Sequence, residues 1–376
     1  MVVLIRAKDI ESDSRTLKYI SFLQENHIDY KIISWNRVNN TVYDSNTINF
    51  NYRSTYNQGG WNAVIGRIKW MIFVVKTLCR ILANNNAIIH ACDLDAAFPA
   101  ILYKKFFNKR SKAIFDIFDW FSATLSNQNF IIRKAFLIME WLCIKYSDYI
   151  ILCEPERIDQ IPYKINKDRL YILPNIPSFA TADFLNIDKN LRFDNHLLTV
   201  SYVGGLYDQR CLDEIISIAE DGLINLLIAG FGDVKIEERL KSLNSKNIKY
   251  FGRVKYDQGL NIMYNADIIY AMYSKDNPNH FYAAPNKYYE AMFLGRPIIS
   301  TKGINMERKI QINDMGYITE EDRQSIENCL LSISKDDLKI KGHNSSRLWV
   351  DKYKNYTRNF LENQYLKMID NPLMKS

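Results

Sequence analysis

Four short stretches of this 376-residue chain carry residue types that could do chemistry. In VGGLYDQRCLDE (203–214) an apolar run meets Gly204 and Gly205, and Arg210 follows at the start of a helical pattern. Paired glycines let a backbone approach an anion, a helix N-terminus offers free N–H groups, and a guanidinium can fork onto phosphate oxygens. The same residues also suit a plain tight turn with a surface arginine. No Gly-Lys-Ser/Thr and no G-x-G-x-x-G accompanies them. In YAAPNKYYEAMFLGRPIIS (282–300), Pro285 starts a helix and Gly295 ends it. Asn286, Lys287 and Glu290 then fall in the first turn or so. Lys287 can meet phosphate. Glu290 can accept two hydrogen bonds from a ribose diol, because an ionised carboxylate is acceptor-only.

The other two stretches lie in the first half. IIHACDLDAAFPA (88–100) puts Asp93 and Asp95 where a strand ends and a helix opens. Capping alone accounts for acids there, and they could also orient or deprotonate a hydroxyl. Asp116 and Asp119, in AIFDIFDW, would end the next strand at the same edge. His90 reads as a strand residue. ESDSRTLKYI (11–20) offers Ser12, Asp13 or Ser14 as a helix cap, with Arg15 and Lys18 able to face phosphate or simply decorate the helix.

The elements that must position these groups follow a β-α rhythm. VVLI, DYKIISW, IIHAC, AIFDIFD and YIILCE read as strands between amphipathic stretches, and continuous apolar runs indicate a parallel sheet covered on both faces. The rhythm breaks over 170–196, where Pro174, Asn175 and Pro177 mark a linker. It resumes with LLTVSYVGG, INLLIAG, IKYFGRV, DIIYAMY and PIIST. We therefore expect an α/β protein of two Rossmann-like parallel-sheet domains, 1–180 and 197–345, facing across a cleft. A helical tail at about 350–370 would pack back on the first domain. Ligands of such sheets bind beyond the carboxyl ends of strands.

Composition excludes several classes. Six cysteines (79, 92, 143, 153, 211 and 329) form no C-x-x-C pair and no zinc spacing, so no zinc site, redox pair or disulfide framework is expected. The apolar start meets Arg6 too early for a signal-peptide core, and no run is long enough to span a bilayer. A cytoplasmic location is expected. The net charge of +7 lies wholly in residues 1–180, and nine basic residues face two acidic ones between Arg67 and Lys112. Such a patch attracts polyanions. No nucleic-acid module accompanies it. Residues 59–86 read as an amphipathic helix with an apolar stripe of Trp61, Val64, Ile65, Ile68, Ile72, Val75, Leu78 and Leu82. Its opposite side carries Arg67, Lys69, Lys76 and Arg80 with Trp70 and Phe73. That side, with Lys104 and Lys105 of YKKFFNKRSK, suits an anionic membrane surface, or else its aromatics pack on neighbours.

Together these segments resemble the GT-B glycosyltransferases, in particular family-4-like bacterial enzymes of surface polysaccharide assembly (O-antigen, capsule). The resemblance covers most of the chain. It implies a nucleotide-sugar donor, UDP- or GDP-linked, with Gly204, Gly205, Arg210 and Lys287 at its diphosphate and Asn286 among the donor-binding residues. Glu290 would fall at the ribose, and Arg253 and Val254 near the base. It places Asp93 and Asp119 at the reacting side, with Arg15, Lys18 and Asp95 toward the acceptor or its phosphate. It implies a polyprenyl-diphosphate-linked oligosaccharide acceptor, retention of anomeric configuration, no cofactor and no metal. Tyr282 stands where the family often has a first glutamate, and Phe118 where many relatives have a histidine. A sugar-nucleotide epimerase on the same fold, or a non-catalytic partner in an assembly complex, are the competing expectations.

Overall fold

The apolar runs become parallel strands, and the amphipathic stretches between them become the covering helices. The computed structural model describes the chain apart from residues 9, 11–12, 38–44, 54–60, 84, 126–129, 178–184, 284 and 371–376. It divides into two units, one comprising Met1–Pro174 with the chain from Thr357 onward, the other Asn175–Tyr356.

The first unit opens with β1 (Val2–Arg6), α1 (Ser14–Glu25), β2 (Tyr30–Asn36) and β3 (Thr47–Asn51). It continues with α2 (Trp61–Leu82), β4 (Ile88–Cys92), α3 (Leu94–Phe106) and β5 (Lys112–Ile117). It closes with α4 (Phe130–Tyr146), β6 (Tyr149–Leu152) and β7 (Leu170–Ile172). The sheet order is β3-β2-β1-β4-β5-β6-β7, and every pairing is parallel. Strand order reverses between β1 and β4, whose register sets Arg6 against Cys92. That reversal leaves a crevice at the strand ends, the usual ligand position in such sheets.

The second unit repeats the plan. It runs β8 (Thr199–Leu206), α5 (Leu212–Glu220), β9 (Asn225–Gly232), α6 (Val234–Ser242), β10 (Ile248–Tyr250) and α7 (Tyr256–Tyr264). Then come β11 (Ile268–Ala271), the single turn α8 (Pro278–Phe281), α9 (Asn286–Leu294) and β12 (Ile298–Thr301). After these follow α10 (Asn305–Ile312), β13 (Gly316–Thr319), α11 (Arg323–Leu331) and α12 (Lys335–Leu348). Its parallel sheet has the order β10-β9-β8-β11-β12-β13, so the reversal lies between β8 and β11. The tail carries α13 (Tyr356–Phe360) and α14 (Leu366–Ile369). Tyr365, fully buried, packs its ring on Tyr19 and His90 of the first unit.

Several elements differ from the sequence reading. The stretch taken as linker, 170–196, begins with β7, and its Leu191 and Phe193 pack on the second unit's core. The strands β3 and β13 were not anticipated. Both are short and only half-buried, so their apolar signal is weak. β5 ends at Ile117, which leaves Asp119 in the following loop. The stretch IKYFGRV yields only three strand residues, because Gly252 turns the chain at φ +62°.

Candidate active site

In the second unit the anion-binding candidates converge at the β8/β11 reversal. β8 and β9 run in register, with Gly204 opposite Gly230. A Cβ at Gly230 would stand 1.8 Å from the Gly204 carbonyl oxygen, and its φ is +148°, so only glycine fits there. Beyond β8, Asp208–Arg210 form one tight turn, and Cys211 takes a left-handed conformation at φ +51°. The buried Tyr270 hydroxyl donates to the Cys211 carbonyl at 2.7 Å and holds this turn. Arg210 therefore precedes α5 rather than opening it.

The Arg210 guanidinium lies 4.1 Å from the Tyr273 ring centroid, just past β11. Its Nη1 is buried with no hydrogen-bond partner among the described residues. Lys287, in the first turn of α9, places Nζ 4.7 Å from the Tyr202 ring centroid. A Cβ at Gly204 would come within 2.8 Å of that Nζ, so the ammonium sits directly on the glycine. Burial pushes Lys287 down to about 8, against the pull of Glu290 and with the push of Arg210. One turn on, Glu290 is 4% exposed and accepts the Tyr256 hydroxyl at 3.0 Å. Burial raises its carboxyl, against Lys287 and the tyrosine bond. Pro285 and Gly295 bound the helix as the sequence predicts, Gly295 in the left-handed region at φ +63°.

Arg253 and Val254 follow β10. Arg253 lies 4.7 Å from the ring centroid of Phe231, which is half-exposed at the end of β9 and in register with Gly205. Asn286 is exposed on the first turn of α9. Gly204, Gly205, Arg210, Lys287 and Glu290 thus share one site, two cations beside a buried carboxylate. Tyr202, Tyr256 and Tyr273, which sequence reasoning missed, line it. Their signal was position: Tyr202 two residues before the paired glycines, Tyr273 just beyond β11 and Tyr256 opening α7.

In the first unit the acidic candidates are already engaged. Asp93 follows β4 at φ +66° and ψ 171°, a backbone region that is essentially glycine's. One carboxylate oxygen pairs with Arg6, and the other accepts the backbone N–H of Phe118 at 2.9 Å and of Asp119 at 3.4 Å. Burial raises its carboxyl, against the pull of Arg6. Asp95 pairs with Arg67 at 3.4 Å. Asp119 is exposed and pairs with the buried Arg157 at 2.9 Å.

Arg15 and Lys18 do not decorate the surface of α1. Asp13 caps that helix, accepting from the Thr16 N–H at 3.2 Å, while Ser12 lies outside the described residues. Arg15 forks onto Asp116 at 2.7 and 3.1 Å and also donates to the Leu173 carbonyl. Asp116 further accepts the Tyr19 hydroxyl at 2.8 Å. Burial alone would raise Asp116, but Arg15 and His90 outweigh it and hold the carboxyl well below the carboxylate range. Burial, then Arg15, pushes the buried Lys18 down to about 7. His90, Cys92 and Asp116 have metal-ligand spacing, but the Asp116 carboxylate is taken by Arg15 and Tyr19.

On α2 the alternative reading holds, with the aromatics packed inward, and the expected stripe is split: Leu78 and Leu82 are fully buried while its amino-terminal members face outward. Trp70 is fully buried, stacks on Trp35 at 5.6 Å and donates to the Asp95 carbonyl at 2.9 Å. Phe73 packs on Phe50, and Arg67 lies 4.7 Å from the Phe121 ring centroid. Val64, Ile65, Ile68 and Ile72, read as the core stripe, are 41–52% exposed beside exposed Lys69, Lys76 and Arg80. Nearly the whole helix is apolar, so periodicity alone could not choose a face. The bulkier indole of Trp70 filled the core. Lys104 is also withdrawn, bonded to Asp148 and the Tyr146 carbonyl, whereas Lys105 stays exposed over the Tyr146 ring. Trp61's side chain lies outside the described residues.

Two parallel sheets of the same reversed order, with the tail returned to the first, define the GT-B architecture. Solved structures share it across nearly their full lengths. A sucrose-phosphate synthase from Thermosynechococcus elongatus has a TM-score of 0.72 at 12% identity, covering 98% of each chain. Anabaena HepE in complex with UDP has a TM-score of 0.67 at 13% identity, covering 97% of this chain and 100% of that one. WaaG, a glycosyltransferase involved in lipopolysaccharide biosynthesis, has 0.66 at 13%, covering 99% and 100%. Residues 198–336, most of the second unit, match the family described as glycosyl transferases group 1. No curated protein matches the sequence.

Proposed function

We propose that the protein is a glycosyltransferase that moves a sugar from a UDP- or GDP-linked donor to a glycan acceptor carried on a polyprenyl diphosphate. The observation that carries this reading is the Lys287 ammonium on Gly204, near the charge of Arg210 with its unpartnered buried guanidinium Nη1, and one turn from buried Glu290. Two cations on a glycine turn offset the charge that grows on the departing diphosphate, a preorganised stabilisation worth more in a water-poor site. Glu290 accepts the ribose hydroxyls, and Phe231 with Arg253 offers a flat surface to the base. The group 1 match over the same residues, and the UDP and UDP-glucose complexes of the similar HepE fold, support the assignment.

In this reading the charge of the two side chains takes the place of a metal ion. The leaving phosphate, not a protein nucleophile, accepts the acceptor proton, and anomeric configuration is retained. Because both Asp93 oxygens are bonded, Asp93 serves by shaping the 118–119 loop around the acceptor, and exposed Asp119 faces it. No helix among the described residues is long and apolar enough to cross a membrane. A lipid-linked acceptor is instead met by the exposed aliphatics of α2, flanked by Lys69, Lys76 and Arg80, docking on the anionic inner face of the plasma membrane.

The test is a panel of nucleotide sugars scored by thermal stabilisation. A donor at a hundred times its Kd stabilises by about 2.7 kcal/mol, a readily measured shift. The Arg210→Ala and Glu290→Ala variants should lose it. A panel in which none stabilises the wild type, or in which Arg210→Ala shifts like wild type, would defeat the assignment.

A further inference from the structure

Tyr202 lies on β8, two residues before Gly204, and is 1% exposed. It touches every part of the anion receptor. The Lys287 ammonium stands over its ring face. The Arg210 guanidinium lies close enough to pull the phenol's pKa down against its burial. The phenol hydroxyl donates to the Gly205 carbonyl. A hydroxyl can donate and accept at once, so the bond to Gly205 leaves the phenol oxygen able to accept from Arg210. Tyr270 supports the ring edge-on from behind, with centroids 6.4 Å apart.

Physical chemistry gives this placement a purpose. Arg210 and Lys287 are like charges, and each disfavours the other until an anion lies between them. An aromatic face carries negative quadrupole density that attracts an ammonium, and a phenol oxygen accepts from a guanidinium. One buried side chain thereby holds both cations and ties back the glycine turn beneath them. We propose that Tyr202 is a positioning residue that preorganises Arg210, Lys287 and the Gly204–Gly205 turn to receive a nucleoside diphosphate. This rests on the donor reading of the second unit.

The test is calorimetric titration of the full chain with UDP and, in parallel, GDP, from pH 7 to 9.5. Tyr202→Phe keeps the ring and loses the hydroxyl, so Kd should rise about 3- to 10-fold, the worth of one or two hydrogen bonds. Tyr202→Leu also loses the ring face, and Kd should rise by roughly another 3- to 10-fold. The groups facing Lys287 are Arg210 before α5, Glu290 on its own helix, and Tyr202 on β8. Tyr256 and Tyr273 lie beyond them, both raised by burial and neutral in this range. Wild-type affinity should fall as pH rises through about 8, where Lys287 loses its proton. In Tyr202→Leu the ammonium lacks the ring, so that fall should begin roughly half a pH unit lower. A side chain that merely filled space would weaken binding equally at every pH.

Wild-type binding that Arg210→Ala abolishes, with Tyr202→Phe equal to wild type, overturns the proposal and leaves the donor reading standing. Weakening in Tyr202→Leu with an unmoved pH midpoint overturns it as well. If wild type binds neither diphosphate, the donor reading falls and takes this proposal with it. Should Tyr202→Leu not fold, the Tyr202→Phe affinity decides.

Discussion

Asp116→Ala should be among the most damaging single changes in the first unit. Asp116 is fully buried, and its two oxygens take both forks of Arg15, whose side chain is 4% exposed. Removing one partner of a buried pair leaves an uncompensated charge and costs about 3–5 kcal/mol. The Tyr19 hydroxyl also loses its acceptor, which adds up to about 1 kcal/mol, not strictly additively. Against a typical stability of about 5–15 kcal/mol, that is at least about a fifth of the total. Five of the six tryptophans, at 35, 61, 70, 120 and 141, belong to the first unit, so tryptophan fluorescence during urea unfolding reports mainly on it. The double variant Arg15→Met/Asp116→Leu, which buries no charge, should recover most of the loss. Because the folded carboxyl sits below its unfolded value, this stability is fully present above about pH 4 and is lost as pH falls. The gap between wild type and Asp116→Ala should therefore shrink in acid. A single variant within 1 kcal/mol of wild type, or a double variant as unstable as the single, would refute the reasoning. The change also reaches beyond packing. Arg15 holds the Leu173 carbonyl, immediately before the first unit's chain ends at Pro174, and Tyr365 of the returning tail hydrogen-bonds His90 at 2.9 Å.

Gly230→Ala should destabilise the second unit by about 2–3 kcal/mol and abolish nucleotide-sugar stabilisation, because the new methyl meets the Gly204 carbonyl; an unchanged melting curve would contradict this. Asp93→Asn keeps the loop N–H bonds but loses the Arg6 pairing, so donor binding should persist while transfer falls at least tenfold, with undiminished turnover removing Asp93 from the acceptor side. Replacing Lys69, Lys76 and Arg80 with glutamate should abolish sedimentation with anionic vesicles that wild type shows at low salt, and each lost cation is worth about 1 kcal/mol at the surface. Wild type left in the supernatant at low salt would end the docking proposal.

Much of the second unit was legible because its signals are local. The turn after β8 and the helix bounded by Pro285 and Gly295 are written in consecutive residues, and each was located from backbone chemistry that needs no distant partner. The first unit was less legible. Asp93, Asp95, Arg15 and Lys18 looked like a row of accessible charges, since sequence shows residue type but not who sits opposite. The partners that engage them, Arg6, Arg67, Asp116 and the 118–119 backbone, come from other strands and helices.

The sequence by itself determined the alternation of strand and helix, the doubled parallel-sheet plan, and the turn and helix that carry Gly204, Lys287 and Glu290. These follow from periodicity and from short-range steric rules. Tertiary structure alone decided which charges are buried in pairs, that three tyrosines line the two cations, and which side of α2 meets water. Those outcomes depend on long-range packing. In a helix apolar almost all round, the buried face is chosen by fit against Trp35 and Phe50, and no local pattern encodes that choice.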